Sequence, residues 1–513
     1  MKIEIPAYHD VWMDNGIENL YKLLQNGQDD GFEITIDNNS LIITISNFDK
    51  FKESVGITIK NVIRSNLVVM KEDKKTGETK EVKKDYILIQ ERKKIGGKVA
   101  FKEELYNEDI TMKTVKKILD LIAEEGTHTC ILCGRYFSKP VKKLQQASYP
   151  FSTKIKSLSG VRSYRDNGVY SFKEYFENFC ATCYLIGIGE WADDGIFYRT
   201  IPGKKSILFL PHFNNLQDLI KFKNSWRPLL NKTSRYCNIR VKKGREETEN
   251  SYGSFSTLLC FYEKIFTDSG ENPVIGNSWV IMEVPFGAVK NIKSNVMNIA
   301  EPVLQIIREL SSDTISIYKD IIKKVSCYDA SKNMLHRDNT NEIRENISEA
   351  MLKDDFRYFA RIFLPRKQCR IYCSNDTRKN LQSLIYTWRL KNMGLNEEEL
   401  KTIKSAGRTI ATVSKDHRNL LYSIDKAKDK SSLLDALRQV SRRITGLKDD
   451  EKRRYNKFIY PPSLEDIVSM LEKHDADKKF IDDIKNTLVI FACVEFSRLD
   501  YVKEKEDETN ERI

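Results

Sequence analysis

The sequence predicts an α+β chain: a mixed α/β N-terminal part with a zinc-knuckle insertion, followed by an all-α C-terminal helical bundle. Three observations predict it. Apolar residues alternate between Phe32 and Ile45. Two CxxC pairs, Cys130-Ile131-Leu132-Cys133 and Cys180-Ala181-Thr182-Cys183, punctuate the middle of the chain. From about residue 350 onward the apolar residues recur at helical spacing.

Taken in order, Ile17, Leu20, Leu23 and Leu24 fall on one helical face, with Asp14 or Asn15 as the expected cap and Gly16 beside it. Phe32, Ile34 and Ile36 alternate, Asp37-Asn38-Asn39-Ser40 turns, and Leu41, Ile43 and Ile45 alternate again, the pattern of a hairpin. A second strand pair is expected around the charged stretch 71–84, with Lys74-Lys75-Thr76-Gly77 at its tip and Tyr86 to Ile89 on the far side. Residues 112–123 read as an amphipathic helix leading into the first cysteine pair. The stretch 278–282 reads as a strand, and 302–310 and 315–325 as helices. Asn396 ahead of Glu397-Glu398-Glu399 suits a helix start, where the dipole favours acids. Later stripes are Leu400, Ile403, Ile410 and Val413, then Leu433, Leu437, Val440 and Ile444, and finally Ile481, Ile484, Leu488 and Phe491. Ser463 with Asp466 resembles a capping box, and the tail from Lys503 is expected to fray. The expected division is an α/β recognition domain over 1–124, a cysteine-punctuated region over 125–250, a mixed region over 251–349 and a helical bundle over 350–513.

The chain has 513 residues, 40% of them hydrophobic and 31% charged, which excludes a wholly disordered polymer. The longest strongly apolar run, 488–494, is far short of the roughly 20 residues a membrane helix needs, so no membrane partner is expected. Met1-Lys2-Ile3-Glu4-Ile5-Pro6 carries no apolar signal core, and ten cysteines are too few for a disulfide scaffold; a reducing, cytoplasmic setting is the expectation. With 85 Lys and Arg against 73 Asp and Glu, the net charge is +12, which points toward a polyanionic partner or toward simple solvation of surplus lysine.

Ten cysteines placed at random would give about 0.2 CxxC pairs. Two residues between thiolates let one tight turn present both sulfurs to a single metal, and two such turns complete the tetrahedron of structural zinc. Cys130, Cys133, Cys180 and Cys183 are therefore the expected ligands of a structural Zn2+. Gly134 after the first pair permits a left-handed turn, whereas Tyr184 follows the second pair, making it the less typical knuckle. His128, two residues before Cys130, is a competing ligand. Reduced, buried cysteines are the alternative for both pairs. Cys237, Cys260, Cys327, Cys369, Cys373 and Cys493 read as core packing.

No Walker loop, GxSxG, HExxH or kinase signature occurs, and the six histidines show no ligand spacing, so no catalytic residue is expected. Asp354-Asp355 and Asp482-Asp483 read as solvated helix faces. Three basic clusters are candidates for nucleic acid: Arg92, Lys93, Lys94 and Lys98 on a glycine-containing loop; Arg240, Lys242, Lys243 and Arg245; and Arg438, Arg442 and Arg443, followed by Lys452-Arg453-Arg454. Between the cysteine pairs, 142–165 interleaves lysines with Tyr149, Phe151 and Tyr164, a pattern suited to phosphate contact and base stacking or to an ordinary solvated loop. Charge is polarised along the helical part, with 16 basic against 7 acidic residues in 401–460 and 8 against 14 in 461–513.

An α/β N-terminal half, a mid-chain Cys130-x2-Cys133 and Cys180-x2-Cys183, and a helical C-terminal part together resemble the CXXC-CXXC family of CRISPR-associated proteins. These are large subunits of type I (I-B or I-A) Cascade effector complexes. Trp12 to Ile17 is a weaker point of likeness. The resemblance implies a non-catalytic subunit that works with guide RNA and target DNA and with the backbone, handle-binding and small subunits. It further implies recognition of the protospacer-adjacent motif, support of the R-loop and recruitment of a helicase-nuclease, with pairing to the guide reading the target. Its helical part would resemble the small subunit, and a separate small-subunit product beginning at Met393 is expected, with Met351 in reserve. The alternatives are a zinc-ribbon nucleic-acid-processing enzyme (a nuclease or a transposase-like protein) and a zinc-stabilised RNA-binding factor unrelated to CRISPR.

Overall fold

The computed structural model describes residues 1–26, 31–63, 67–72, 79–84, 92–95, 98–101, 108–130, 132–139, 179–192, 198–201, 205–232, 253–268, 276–285, 293–311, 317–329, 334–366, 369–393, 395–415, 417–449, 458–473 and 478–510. The architecture is mixed α+β, with small antiparallel sheets and a helical C-terminal half. Two compact units divide the chain: Met1–Asn250 with Glu271–Asn298, and Ser251–Gly270 with Ile299–Ile513. The segments 1–124 and 125–250 share the first unit, and 251–349 is split between the two.

In the first unit, strands Lys2–Pro6, Ser40–Ile45 and Phe32–Asp37 form an antiparallel sheet with Ser40–Ile45 in the middle. Ile3 pairs with Ile43 and Ile5 with Leu41, so the period-two alternation buries one face. The expected hairpin closes through Asn38 and Asn39, both at positive φ (46° and 62°), as a two-residue primed turn requires. The helix Val11–Asn26 starts earlier than its apolar spacing suggests. Asp10 caps it, its Oδ1 accepting the Trp12 and Met13 N–H groups at 3.0 and 2.9 Å. Asp14, Asn15 and Gly16 lie inside the helix and are not its cap.

Strand Leu67–Glu72 pairs with Thr79–Lys84, so the charged stretch itself forms the expected strand pair. Its tip and residues 86–89 lie outside the described residues. The stretch read as a basic loop is a second ribbon, with Arg92–Ile95 antiparallel to Lys98–Phe101, so the basic residues are in strands. A four-stranded antiparallel sheet orders Tyr198–Ile201, Lys205–Pro211, Ser278–Pro285 and Lys293–Asn298.

In the second unit, Asn396 and Glu399 form a full capping box at the start of the helix Glu397–Ser414. This helix packs against the long helix Lys478–Asn510 at Gly407, where an added Cβ would lie 2.8 Å from Phe491 Cβ and 3.0 Å from the Ala492 nitrogen. Four expectations change. The strand Cys369–Tyr372 interrupts the supposedly all-α span. Ser463 is buried, and its hydroxyl donates to the Tyr460 carbonyl, so it is not a capping-box residue of Pro462–Lys473. The last helix continues through Asn510, past the expected fraying point. The Asp pairs bond to the fold: Asp354 accepts from Trp388 Nε1 (2.6 Å) and Asn392 (2.7 Å), Asp355 caps Phe356–Ile362, and Asp483 meets Arg389 at 2.8 Å. Met393 closes the helix Asn375–Met393, whose Tyr386 and Arg389 pack on Phe491 and Asp483. A product starting at Met393 would leave Phe491 and Asp483 without those two partners.

Candidate metal centre

The first cysteine pair sits in a turn between two short paired strands, His128–Thr129 and Tyr136–Phe137. Cys130 N–H donates to the Arg135 carbonyl and Gly134 N–H to the Cys130 carbonyl, both at 2.8 Å. Gly134 has φ of +69°, a left-handed conformation that a side chain would strain. The turn presents Cys130 and Cys133 on the same side as the second pair. Phe137 is buried beneath it, and an added Cβ at Gly126 would lie 2.2 Å from the Phe137 carbonyl oxygen, so that crossing admits only glycine.

The second pair is built differently. Cys180 precedes the helix Ala181–Ala192, and Cys183 lies in its first turn. Helical backbone needs no left-handed residue after the pair, which explains Tyr184 at that position. Residues three apart at a helix start project two sulfurs from the positive end of the helix, which favours thiolates. Gly16 fixes the helix from behind: an added Cβ there would lie 2.7 Å from Ile186 Cγ2 and 2.8 Å from the Ile186 carbonyl oxygen. Close approach to Ile186 is the reason for this glycine.

These two supports bring the four predicted sulfurs together, all within 4.8 Å of one another. Cys130 and Cys183 are separated by 3.7 Å and Cys133 and Cys180 by 3.5 Å, sulfur to sulfur. A tetrahedral ion with metal–sulfur bonds near 2.3 Å has sulfur–sulfur edges of about 3.8 Å, whereas a disulfide needs about 2.0 Å. The spacing fits a thiolate-bound ion and not a pair of disulfides. Cys130, Cys180 and Cys183 are buried and Cys133 is half-buried. Hydrogen bonding from Cys133, Cys180 and Cys183 pulls the Cys130 thiol far below its usual range. Bonds with Cys130 push Cys180 and Cys183 above theirs. Four sulfurs at this separation cannot all ionise without a cation between them.

Further groups orient the sulfurs. Cys180 N–H donates to Cys130 Sγ at 3.3 Å and Cys183 N–H to Cys180 Sγ at 3.5 Å. The Tyr8 hydroxyl lies 3.6 Å from Cys183 Sγ, within hydrogen-bonding reach, and burial pushes its own pKa up. Tyr8 N–H in turn donates to Asp14 Oδ1 at 2.7 Å, and burial pushes the Asp14 carboxyl up to about 6. Nothing in the sequence spacing links Tyr8 to cysteines some 175 positions away. His128 stays outside the cluster, exposed, with its ring 5.5 Å from that of Phe137. The cysteines belong to one core with Ile3, Trp12, Ile17, Leu20 and Ile186, so the site is a structural part of the whole first unit.

The remaining predicted residues are scattered. Arg92, Lys93, Lys94 and Lys98 lie on the ribbon, opposite Phe101, Ala100, Val99 and Ile95 respectively. Arg240, Lys242, Lys243, Arg245, the stretch 142–165 and Lys452 to Arg454 lie outside the described residues. Arg438 and Arg442 are exposed on the helix Lys430–Thr445 and Arg443 is half-buried; Arg438 pairs with the exposed Asp435 at 2.9 Å. Cys260, Cys373 and Cys493 are buried and form no disulfide, as expected of core residues, and burial pushes the Cys373 thiol up to about 12. Cys327 is buried but disulfide-bonded, which the core-packing reading does not anticipate. No described helix is long and apolar enough to cross a membrane. No protein-family model matches the chain, and no curated protein matches it.

Proposed function

We propose that this chain is a zinc-stabilised, non-catalytic nucleic-acid-binding subunit, the large subunit of a type I CRISPR RNA-guided surveillance complex. The observation that carries the metal part is the cluster Cys130, Cys133, Cys180 and Cys183, whose sulfur separations suit tetrahedral zinc. Four thiolates complete the ion's shell, so zinc here would lock the knuckle to the helix Ala181–Ala192 and leave no position for a reacting water. Soft sulfur donors also suit iron–sulfur clusters; metal analysis distinguishes them.

The nucleic-acid part rests on charge and on family resemblance. The net charge is +12, and exposed Arg438 and Arg442 lie four apart on one helix. The ribbon Arg92–Phe101 carries four basic residues on two strands, a shape a major groove admits. In this reading the ribbon contacts the protospacer-adjacent motif and the helical unit holds a displaced strand, while guide RNA supplies the sequence match. Purification of the tagged chain from its host tests the proposal. Co-purification of guide RNA with other effector subunits is the expected result. A chain that purifies without RNA, or that cleaves nucleic acid alone, would overturn it.

A further inference from the structure

A second feature of the first unit is an unpaired sheet edge that borders a cavity. Among the described residues the strand Lys2–Pro6 pairs only with Ser40–Ile45. The Met1 nitrogen donates to the Ile45 carbonyl and Ile45 N–H to the Met1 carbonyl, both at 2.8 Å, and Ala7 N–H donates to the Asn39 carbonyl at 3.0 Å. Odd-numbered residues of this stretch therefore bond inward. Antiparallel pairing then points the N–H and C=O groups of Lys2 and Glu4 away from the sheet. Met1 through Glu4 line a cavity of about 290 Å³. Consecutive residues of one strand line it, so the cavity runs along the strand's edge and not over one face. Its other walls carry polar groups in want of partners. Thr182 lines the cavity at only 6% exposure, and its hydroxyl meets no partner among the described residues. The Ala181 and Thr182 N–H groups open the helix Ala181–Ala192 and have no partner within it. A helix start can hold an anion, but the sulfurs of Cys180 and Cys183 already sit at this one. Glu4 and Glu124 line the cavity beside Lys2 and Arg135, so a polyanion gains no net attraction there. A peptide backbone is neutral and brings both donors and acceptors, which these groups need.

We propose that this edge docks an extended segment of a partner protein as an added antiparallel strand. Register centred on Ile3 sets the guest's residues opposite Glu4, Ile3 and Lys2, in the guest's own N-to-C order. Lys2 and Glu4 each exchange both backbone bonds with the residue opposite, so two guest residues satisfy all four outward groups. The side chains of Lys2 and Glu4 are exposed, and opposite charges across a strand pair attract. A base therefore belongs opposite Glu4 and an acid opposite Lys2, and the guest reads base, apolar, acid. Its middle side chain falls on the face of buried Ile3, and Leu121 and Ile122 supply apolar lining. Pro6 offers no N–H, so the paired stretch is short. The order Lys2-Ile3-Glu4 is itself base, apolar, acid, which makes a second copy of the chain the competing guest. A partner segment is favoured because a cavity of this size seats a strand and not a folded unit.

The test uses the full chain with two short labelled peptides. One carries lysine, valine and glutamate in that order at its centre, and the other carries the reverse order. Fluorescence anisotropy should show the first binding roughly 3- to 30-fold more tightly, because two opposite-charge pairs replace two like-charge ones. Lys2→Glu with Glu4→Lys should invert the preference, and unchanged melting of that variant establishes that it folds. Methylating the lysine and glutamate amide nitrogens of the first peptide should abolish binding, since those N–H groups bond to the edge. The Glu4 amide should exchange rapidly in the free chain and slowly once the first peptide is bound. A Glu4 amide already protected in the free chain would overturn the proposal. So would equal binding of the two peptides that the charge swap leaves unaltered, or no binding of either at millimolar concentration. A dimer of the unmodified chain in sedimentation, dissociated by Lys2→Glu, would assign the edge to a second copy and refute the partner segment. Displacement of the peptide by oligothymidine would assign the cavity to nucleic acid and refute it equally.

Discussion

Replacing Gly16 with alanine gives a result whose sign is informative. In an isolated helix the change is stabilising by about 1 kcal/mol, because alanine loses less backbone entropy. Here the new Cβ would lie 2.7 Å from Ile186 Cγ2 and 2.8 Å from the Ile186 carbonyl oxygen. The carbonyl is backbone of the helix that carries Cys183, so it cannot swing aside as a side-chain tip would. The helices must separate by several tenths of an ångström, and overpacking of this kind costs about 1–3 kcal/mol. The net expectation is a loss of about 1 kcal/mol, or a fall of roughly 2–4 °C in the melting of a unit this size. Gly16→Val adds bulk and a β-branch and should lose more. Calorimetry with metal analysis on the same samples is the assay. A Gly16→Ala protein that melts at or above the unmodified chain would refute the close-approach argument, because helix propensity alone would then have decided.

Lys223→Ala leaves Glu18 buried without the Nζ that now meets it at 2.7 Å, and should cost about 3–5 kcal/mol by urea denaturation; Glu18→Leu with Lys223→Met should recover most of it. The Asp14 carboxyl is raised to about 6 in the fold, so the folded chain holds its proton more tightly than the unfolded one. Stability from this group is full below the unfolded value and falls as pH rises through about 4 to 6; Asp14→Asn should flatten that part of the pH–stability curve, and an unchanged slope would count against it. Arg438→Glu with Arg442→Glu should weaken single-stranded DNA binding and flatten its salt dependence, since both side chains are exposed; an unchanged slope would remove this helix from the binding surface.

The elements legible in the sequence are those set by local rules. The 32–45 hairpin follows from strict alternation around an Asn-Asn turn, and Asn396 with Glu399 states its capping box within four residues. The four ligand candidates are legible for the same reason, because CxxC spacing is a local device. What stays hidden depends on partners distant in sequence. The close approach at Gly16 shows only once Ile186 is placed against it, and Asp10 escapes notice because the apolar stripe begins at Ile17. The buried Glu18 and Lys223 look like solvated charges until 204 residues of chain bring Lys223 beside Asn19. Asp354 and Asp483 likewise hold Trp388 and Arg389, partners the sequence pattern does not reveal. The second cysteine pair looks atypical only against the expectation of a knuckle, where a helix start does the same work.

The measurement that bears most directly on the account is the metal content of the purified full chain, with Cys133→Ser and Cys183→Ser introduced together as the comparison. One zinc per chain is predicted, absent from the double variant. Binding of structural zinc contributes on the order of 10 kcal/mol, comparable to the whole stability of a folded unit. Chelation should therefore unfold the first unit and spare the cooperative melting of the second. A chain that folds fully without any bound metal, and melts identically with and without a strong chelator, would contradict it.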